Sequence, residues 1–185
     1  MTGSGKSFFI LRVIKEQLIH PFPKQVYYMY GVRQPFMDHH PNIKFIEGLD
    51  FSQMDTSKPS MLVIDDLVLE CKNQEVSAAF IRESHHKQIS LFYITQNLFP
   101  NCPNFRLMSA NSHYFVLFYN QRNFRQVTTL ARQIFVGKDV KRILEAYKRA
   151  SETERGFILL SFSALLPKEL TVVTDFFNRW PSVYL

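Results

Sequence analysis

Hydrophobic and polar positions change period several times along the chain, and each change marks an element. Phe9, Ile10, Val13, Ile14 and Leu18 recur at helical spacing through residues 6–20, and Pro21 closes the run. QVYYMY at 25–30 reads as a strand ended by Gly31, and NIKFIEG at 42–48 as a second short strand. MLVIDD at 61–66 is a brief apolar run that ends in acid, the form of a strand buried on both faces of a parallel sheet. Val76, Ala79, Phe80 and Glu83 give residues 73–87 a helical period, and ISLFYITQ at 89–96 is another buried strand. Residues 97–111, with Pro100, Pro103 and four Asn, read as a loop. A strand at 114–120, helices at 123–135 and 139–150 divided by Gly137, and a strand at 157–162 follow. Beyond Pro167 the pattern leaves a short helix or strand open around 170–180. Strands alternating with helices predict an α/β fold whose mostly parallel sheet is covered on both faces.

Composition narrows the class. The 185 residues fit a single domain over 1–185, and a chain this long buries roughly 70% of its unfolded surface. Hydrophobic residues at 46% and charged residues at 21% exclude a disordered chain, and two Cys exclude a disulfide scaffold. No apolar run approaches the roughly 18 residues of a membrane span, and no apolar segment opens the chain as a secretion signal would. The expectation is an intracellular protein without a membrane partner. Its net charge of +6 is compatible with a polyanion.

The chain opens Met-Thr-Gly-Ser-Gly-Lys-Ser. The phosphate-loop pattern is Gly-x-x-x-x-Gly-Lys-[Ser/Thr], and Gly5, Lys6 and Ser7 match its end. Its first Gly would fall one position before Met1, so the sequence is expected to begin inside the motif, with the strand that feeds the loop missing. Thr2, Gly3, Ser4 and Gly5 would turn backbone N–H groups toward phosphate oxygens of ATP. Lys6 would reach the β- and γ-phosphates, and Ser7 would ligate Mg²⁺. A helix starting at Lys6 offers its positive end to the same anion. A flexible Gly/Ser terminus is the plain alternative, which the apolar period that follows disfavours.

Asp65 and Asp66 stand at the carboxyl end of an expected buried strand. Asp65 fits an acid that holds Mg²⁺ opposite Ser7. Asp66 fits a base that polarises the attacking water, with Glu70 as a second candidate. Gln96, after the next apolar strand, would reach the same crevice and orient the water or sense the γ-phosphate.

GSGKS, VIDDLVLE at 63–70, RESHHKQISLFYITQNLFP at 82–100 and SANSHYFVLFYNQRNFRQVTTLARQIF at 109–135 together resemble the genome-packaging ATPases of the FtsK–HerA superfamily. They are most similar to those of Polinton/Maverick elements, adintoviruses and poxvirus-type DNA viruses. The resemblance runs from the phosphate loop to about residue 165. The sequence departs from the family at the start of the loop and at Arg82-Glu83, where small residues are frequent. The resemblance implies a P-loop three-layer sandwich of the RecA/FtsK-like, additional-strand class. It implies an ATP-hydrolysing motor, a homo-oligomeric ring, that moves double-stranded DNA into a viral capsid with capsid proteins as partners, in the host cell or virion. Such rings use an arginine that reaches the neighbour's γ-phosphate. Arg132 is the first candidate, and Arg106, Arg122 and Arg125 are the others. Sequence-independent DNA contact would fall to Lys87, Arg122 and Arg125.

Other signals carry less. His39-His40 and His85-His86 lack the i,i+4 spacing of a helical metal site, and Cys71 and Cys102 stand apart. The Lys/Arg face of the 139–150 helix reads as solvated. A catalytically impaired P-loop fragment, or a passive nucleotide-binding module from an endogenised viral element, is the alternative function. A small kinase would need an Arg-rich lid, and none follows the second strand.

Overall fold

The computed structural model describes residues 5–67, 76, 88–100, 103–163, 165–179 and 181–184. They form two compact units, residues 7–111 and residues 112–185 together with Gly5 and Lys6. The fold is mixed α/β, with a four-stranded parallel sheet in the first unit.

In the first unit α1 (Lys6–Lys15), which enters it at Ser7, precedes β1 (Gln25–Tyr30), β2 (Lys44–Glu47), β3 (Ser60–Asp65), β4 (Ile89–Ile94) and α2 (Pro103–Ala110). The sheet order is β2-β1-β3-β4, and every pair is parallel. Register fixes which side chains share a face. Tyr27, Met29, Ile46, Leu62 and Ile64 lie on one side and pack with Val76 and Met108. Tyr28, Val63 and Asp65 fall on the other, because strand side chains alternate. β3 is buried at all six positions, as its unbroken apolar run predicts.

Two segments of the first unit depart most from the sequence pattern. α1 stops at Lys15, not near residue 20. The Leu18 N–H bonds the Val13 carbonyl and the Gln17 N–H bonds the Ile14 carbonyl, while Gln17 sits at φ 50°. This is a left-handed helix cap. It is disguised because Gln, not Gly, holds the left-handed position and Leu18 keeps the apolar period. Residues 97–111 contain a helix, α2, where a loop was expected. Pro103 opens it, since a first-turn proline loses no intrahelical hydrogen bond. The expected helix over 73–87 lies outside the described residues, apart from Val76, which is helical and buried.

The second unit corrects the expectation of one mostly parallel sheet. β5 (Tyr114–Phe118), β6 (Phe157–Ser161), β7 (Val172–Thr174) and β8 (Ser182–Val183) form a second sheet in that order, with every pair antiparallel. α3 (Phe124–Ile134) and α4 (Lys138–Arg149) lie between β5 and β6. Two helices carry the chain out and back, so β6 starts at the end where β5 stopped. The links β6–β7 and β7–β8 are shorter than the dozen or so residues that a parallel crossover needs. The tail beyond Pro167 is a 3₁₀ turn followed by β7 and β8.

Both helices are amphipathic. Val127, Leu130 and Ala131 are buried from α3, and Ile143, Ala146 and Tyr147 from α4. The Tyr147 hydroxyl donates to the Phe118 carbonyl at 3.0 Å and accepts from the Asn120 N–H at 2.9 Å, tying α4 to the end of β5. Gly137 separates the helices at φ 61°, ψ −124°, a conformation that glycine alone adopts freely.

Candidate functional site

The parallel register levels three strand ends. Tyr30 of β1 lies beside Asp65 of β3, and Asp65 beside Ile94 of β4. The residues that follow, Gly31, Asp66 and Thr95, therefore emerge on one side of the sheet, where ligands of parallel sheets collect.

Asp65 is the buried acid of this end, 5% exposed. A carboxylate withdrawn from water needs donors. Its Oδ2 accepts the Tyr28 hydroxyl at 2.5 Å and the Ser7 hydroxyl at 3.3 Å. Burial, and then the charge of Asp65, push the Tyr28 phenol well above its ordinary pKa, so it remains a donor. Its ring is held 5.5 Å from Phe45 and 5.9 Å from Phe36, which fixes where the hydroxyl points. Ser7 comes from the first turn of α1, a turn with no acidic side chain.

Asp66 has a different environment. It leaves β3 at φ 57°, a region that Asp tolerates better than most residues. Its N–H donates to the Ile94 carbonyl, and its exposed carboxylate accepts from the Gln96 side-chain amide at 3.0 Å. Burial and the charge of Asp66 push the neighbouring Tyr93 phenol up to about 12. Two adjacent acids thus have separate settings: one enclosed by hydroxyls, the other open to water and paired with an amide.

Gly5 occupies φ 91°, and a Cβ there would lie 2.9 Å from Cβ of Arg155. Conformation and space both require glycine before Lys6. Lys6 itself is half-buried as the first residue of α1.

The structure thus brings Ser7 to Asp65 and Gln96 to Asp66. Arg106 is exposed on α2. Arg122 in the turn before α3, and Arg125 and Arg132 on α3, are exposed in the second unit. Thr2, Gly3, Ser4, Glu70 and Lys87 lie outside the described residues, as do Cys71, Cys102 and His85-His86. Tyr28 is the residue that the sequence pattern passed over. Within QVYYMY it reads as strand core, and only the β1–β3 register reveals its reach to Asp65.

A hydroxyl beside a carboxylate is a hard oxygen donor set that suits Mg²⁺, which keeps several waters and takes phosphate oxygens. Among the described residues no three His, Cys, Asp or Glu side chains gather as a metal cluster, and Mg²⁺ with a nucleotide does not require one. Compared with protein-family models, curated proteins and solved structures, the chain gives no match. No helix among the described residues is long and apolar enough to cross a membrane.

Proposed function

We propose that the chain is a P-loop ATPase that uses Mg²⁺-ATP to move double-stranded DNA into a viral capsid as part of a homo-oligomeric ring. The observation that carries the reading is the bond between Ser7, directly after Gly5-Lys6, and Asp65 at the end of a buried parallel strand. A loop lysine, a following hydroxyl and a strand-end acid are the parts that position phosphates and metal in phosphoryl transfer. The fold in this reading is the RecA/FtsK-like sandwich of the additional-strand class. The packaging assignment rests on the resemblance of the motifs and their spacing.

Lys6 acts as a point charge on the β- and γ-phosphates. Ser7 and Asp65 would hold Mg²⁺, which neutralises charge on the phosphate oxygens when bound. Tyr28 keeps the Asp65 carboxylate turned toward Ser7. Asp66 accepts the proton of the attacking water as that water bonds to the γ-phosphorus and the bond to ADP breaks. Gln96 aligns that water; Glu70 is the alternative base. Arg132 reaches the γ-phosphate of the neighbouring subunit.

Mixed mutants test the ring. Lys6→Ala and Arg132→Ala subunits each hydrolyse ATP poorly alone. On mixing with double-stranded DNA present, steady-state ATPase activity recovers, because some interfaces pair an intact pocket with an intact arginine. No recovery with Arg132, Arg106, Arg122 or Arg125 would overturn the ring. Unchanged ATP affinity in Lys6→Ala would overturn the nucleotide site.

A further inference from the structure

α4 carries five basic and two acidic side chains, a net +3 and so half of the chain's net +6. Its pattern alone reads as a solvated face, but β8 gives that face a wall. Together they form a groove of about 760 Å³ lined by Lys138, Lys141, Arg142, Glu145, Arg149 and Tyr184. Arg142 pairs with Asp139 at 3.4 Å. Lys138, Lys141 and Arg149 make no ion pair among the described residues, and all three are exposed.

Three features choose the ligand. The cations run from position 138 to position 149, roughly 16 Å of helix at 1.5 Å per residue. That length matches the axial rise of four or five phosphates of one DNA strand, at about 3.4 Å each. The groove is open along its exposed lining, whereas a small ligand needs a site that encloses most of its surface. Finally, Ser182 on the far wall adds a hydroxyl, a common phosphate donor, and among the described residues no Asn or Gln lines the groove to read a base edge.

We infer that the groove between α4 and β8 binds the sugar–phosphate backbone of duplex DNA without reading its sequence. The choice of DNA among polyanions rests on the translocation reading, which the inference deepens by naming the surface that meets the duplex.

Fluorescence anisotropy of the full chain with two unrelated labelled 20-base-pair duplexes, without nucleotide and over a salt series, tests it. Lys141→Glu/Arg149→Glu should weaken both duplexes equally, by tenfold or more. It should also flatten the slope of log affinity against log salt by about 2. Lys15→Glu/Lys24→Glu, an equal charge change at exposed sites in the other unit, should lose far less. Lys141→Gln/Arg149→Gln should fall between wild type and the reversal, and serves if the reversal fails to fold by circular dichroism. An unchanged salt slope in the groove variants overturns the inference. So does an equal loss in the control, or a wild-type chain that ignores DNA and binds poly-glutamate. Duplex binding that depends on the groove in a chain that binds no Mg²⁺-ATP supports the groove and removes the motor.

Discussion

In the parallel sheet every strand ends on the same side, so the residues after β1, β3 and β4 meet there. In the antiparallel sheet neighbouring strands end on opposite sides, and no such meeting occurs. The first arrangement brings a buried acid, its two hydroxyl donors and an acid–amide pair to one strand end. The second places its charge on a helix, as exposed cations beside an edge strand. At that strand end Asp65 is held by Ser7 and Tyr28, and Asp66 by Gln96. The other unit has many cations on an open face. The first pattern suits chemistry on a small bound group, and the second suits adhesion to an extended polyanion.

The largest expected effect tests the strand-end chemistry. Asp66→Asn should keep nucleotide affinity within a few-fold and lower ATP turnover by about a hundredfold or more, since it removes the proposed base and leaves the phosphate contacts untouched. Normal turnover in Asp66→Asn together with loss in Glu70→Gln would move the base to Glu70.

Damage to the antiparallel unit should appear as lost stability. A Cβ on Gly156 would stand 1.7 Å from the Ala150 carbonyl oxygen, where β6 is about to begin. Gly156→Ala must therefore displace backbone and should cost about 1–3 kcal/mol in thermal or urea unfolding. Wild-type stability in this variant would show that the turn before β6 yields easily.

Tyr28→Phe sharpens the contrast with a single hydroxyl. Losing a hydrogen bond to a charged group should cost about 1.5 kcal/mol of stability. The same change should raise the Mg²⁺ concentration needed for half-maximal activity, while an Asp66 variant leaves that concentration unchanged. A Mg²⁺ requirement unaltered in Tyr28→Phe would reduce Tyr28 to core packing.

The smallest effect is on alkaline stability. Tyr28 and Tyr93 both titrate above the ordinary phenol value of 10.0, Tyr93 at about 12. The folded state then holds protons that the unfolded state has released, so stability is full below about pH 10 and falls as pH rises toward 12. Tyr147 in the other unit, raised mainly by burial, acts in the same direction. Tyr93→Phe should flatten the fall of Tm over that interval, and a slope equal to wild type would contradict the shift.

Most strands were legible because apolar runs bounded by turn residues leave few alternatives, as at 25–30, 61–66 and 157–162. Ser7 and Asp65 were legible as a pair because Gly5-Lys6-Ser7 matches the end of the phosphate-loop pattern, which calls for a second, acidic site. What stayed hidden depends on geometry that no local window holds. Gln17 caps α1 in a conformation usually given to glycine. Pro103, counted as a loop signal, starts a helix. Strand direction in the second unit follows from link lengths and a pair of helices, not from the strands' own residues. Tyr28 becomes a site residue only once β1 is known to lie beside β3.

The central claim is that Ser7 and Asp65 form a Mg²⁺-nucleotide site. Calorimetric titration of a non-hydrolysable ATP analogue, with and without Mg²⁺, into wild type and Asp65→Asn tests it directly. Wild type should bind the analogue more tightly with Mg²⁺, and Asp65→Asn should bind it equally weakly in both conditions. Binding by wild type that ignores Mg²⁺, or a Mg²⁺ effect that survives in Asp65→Asn, would contradict the account.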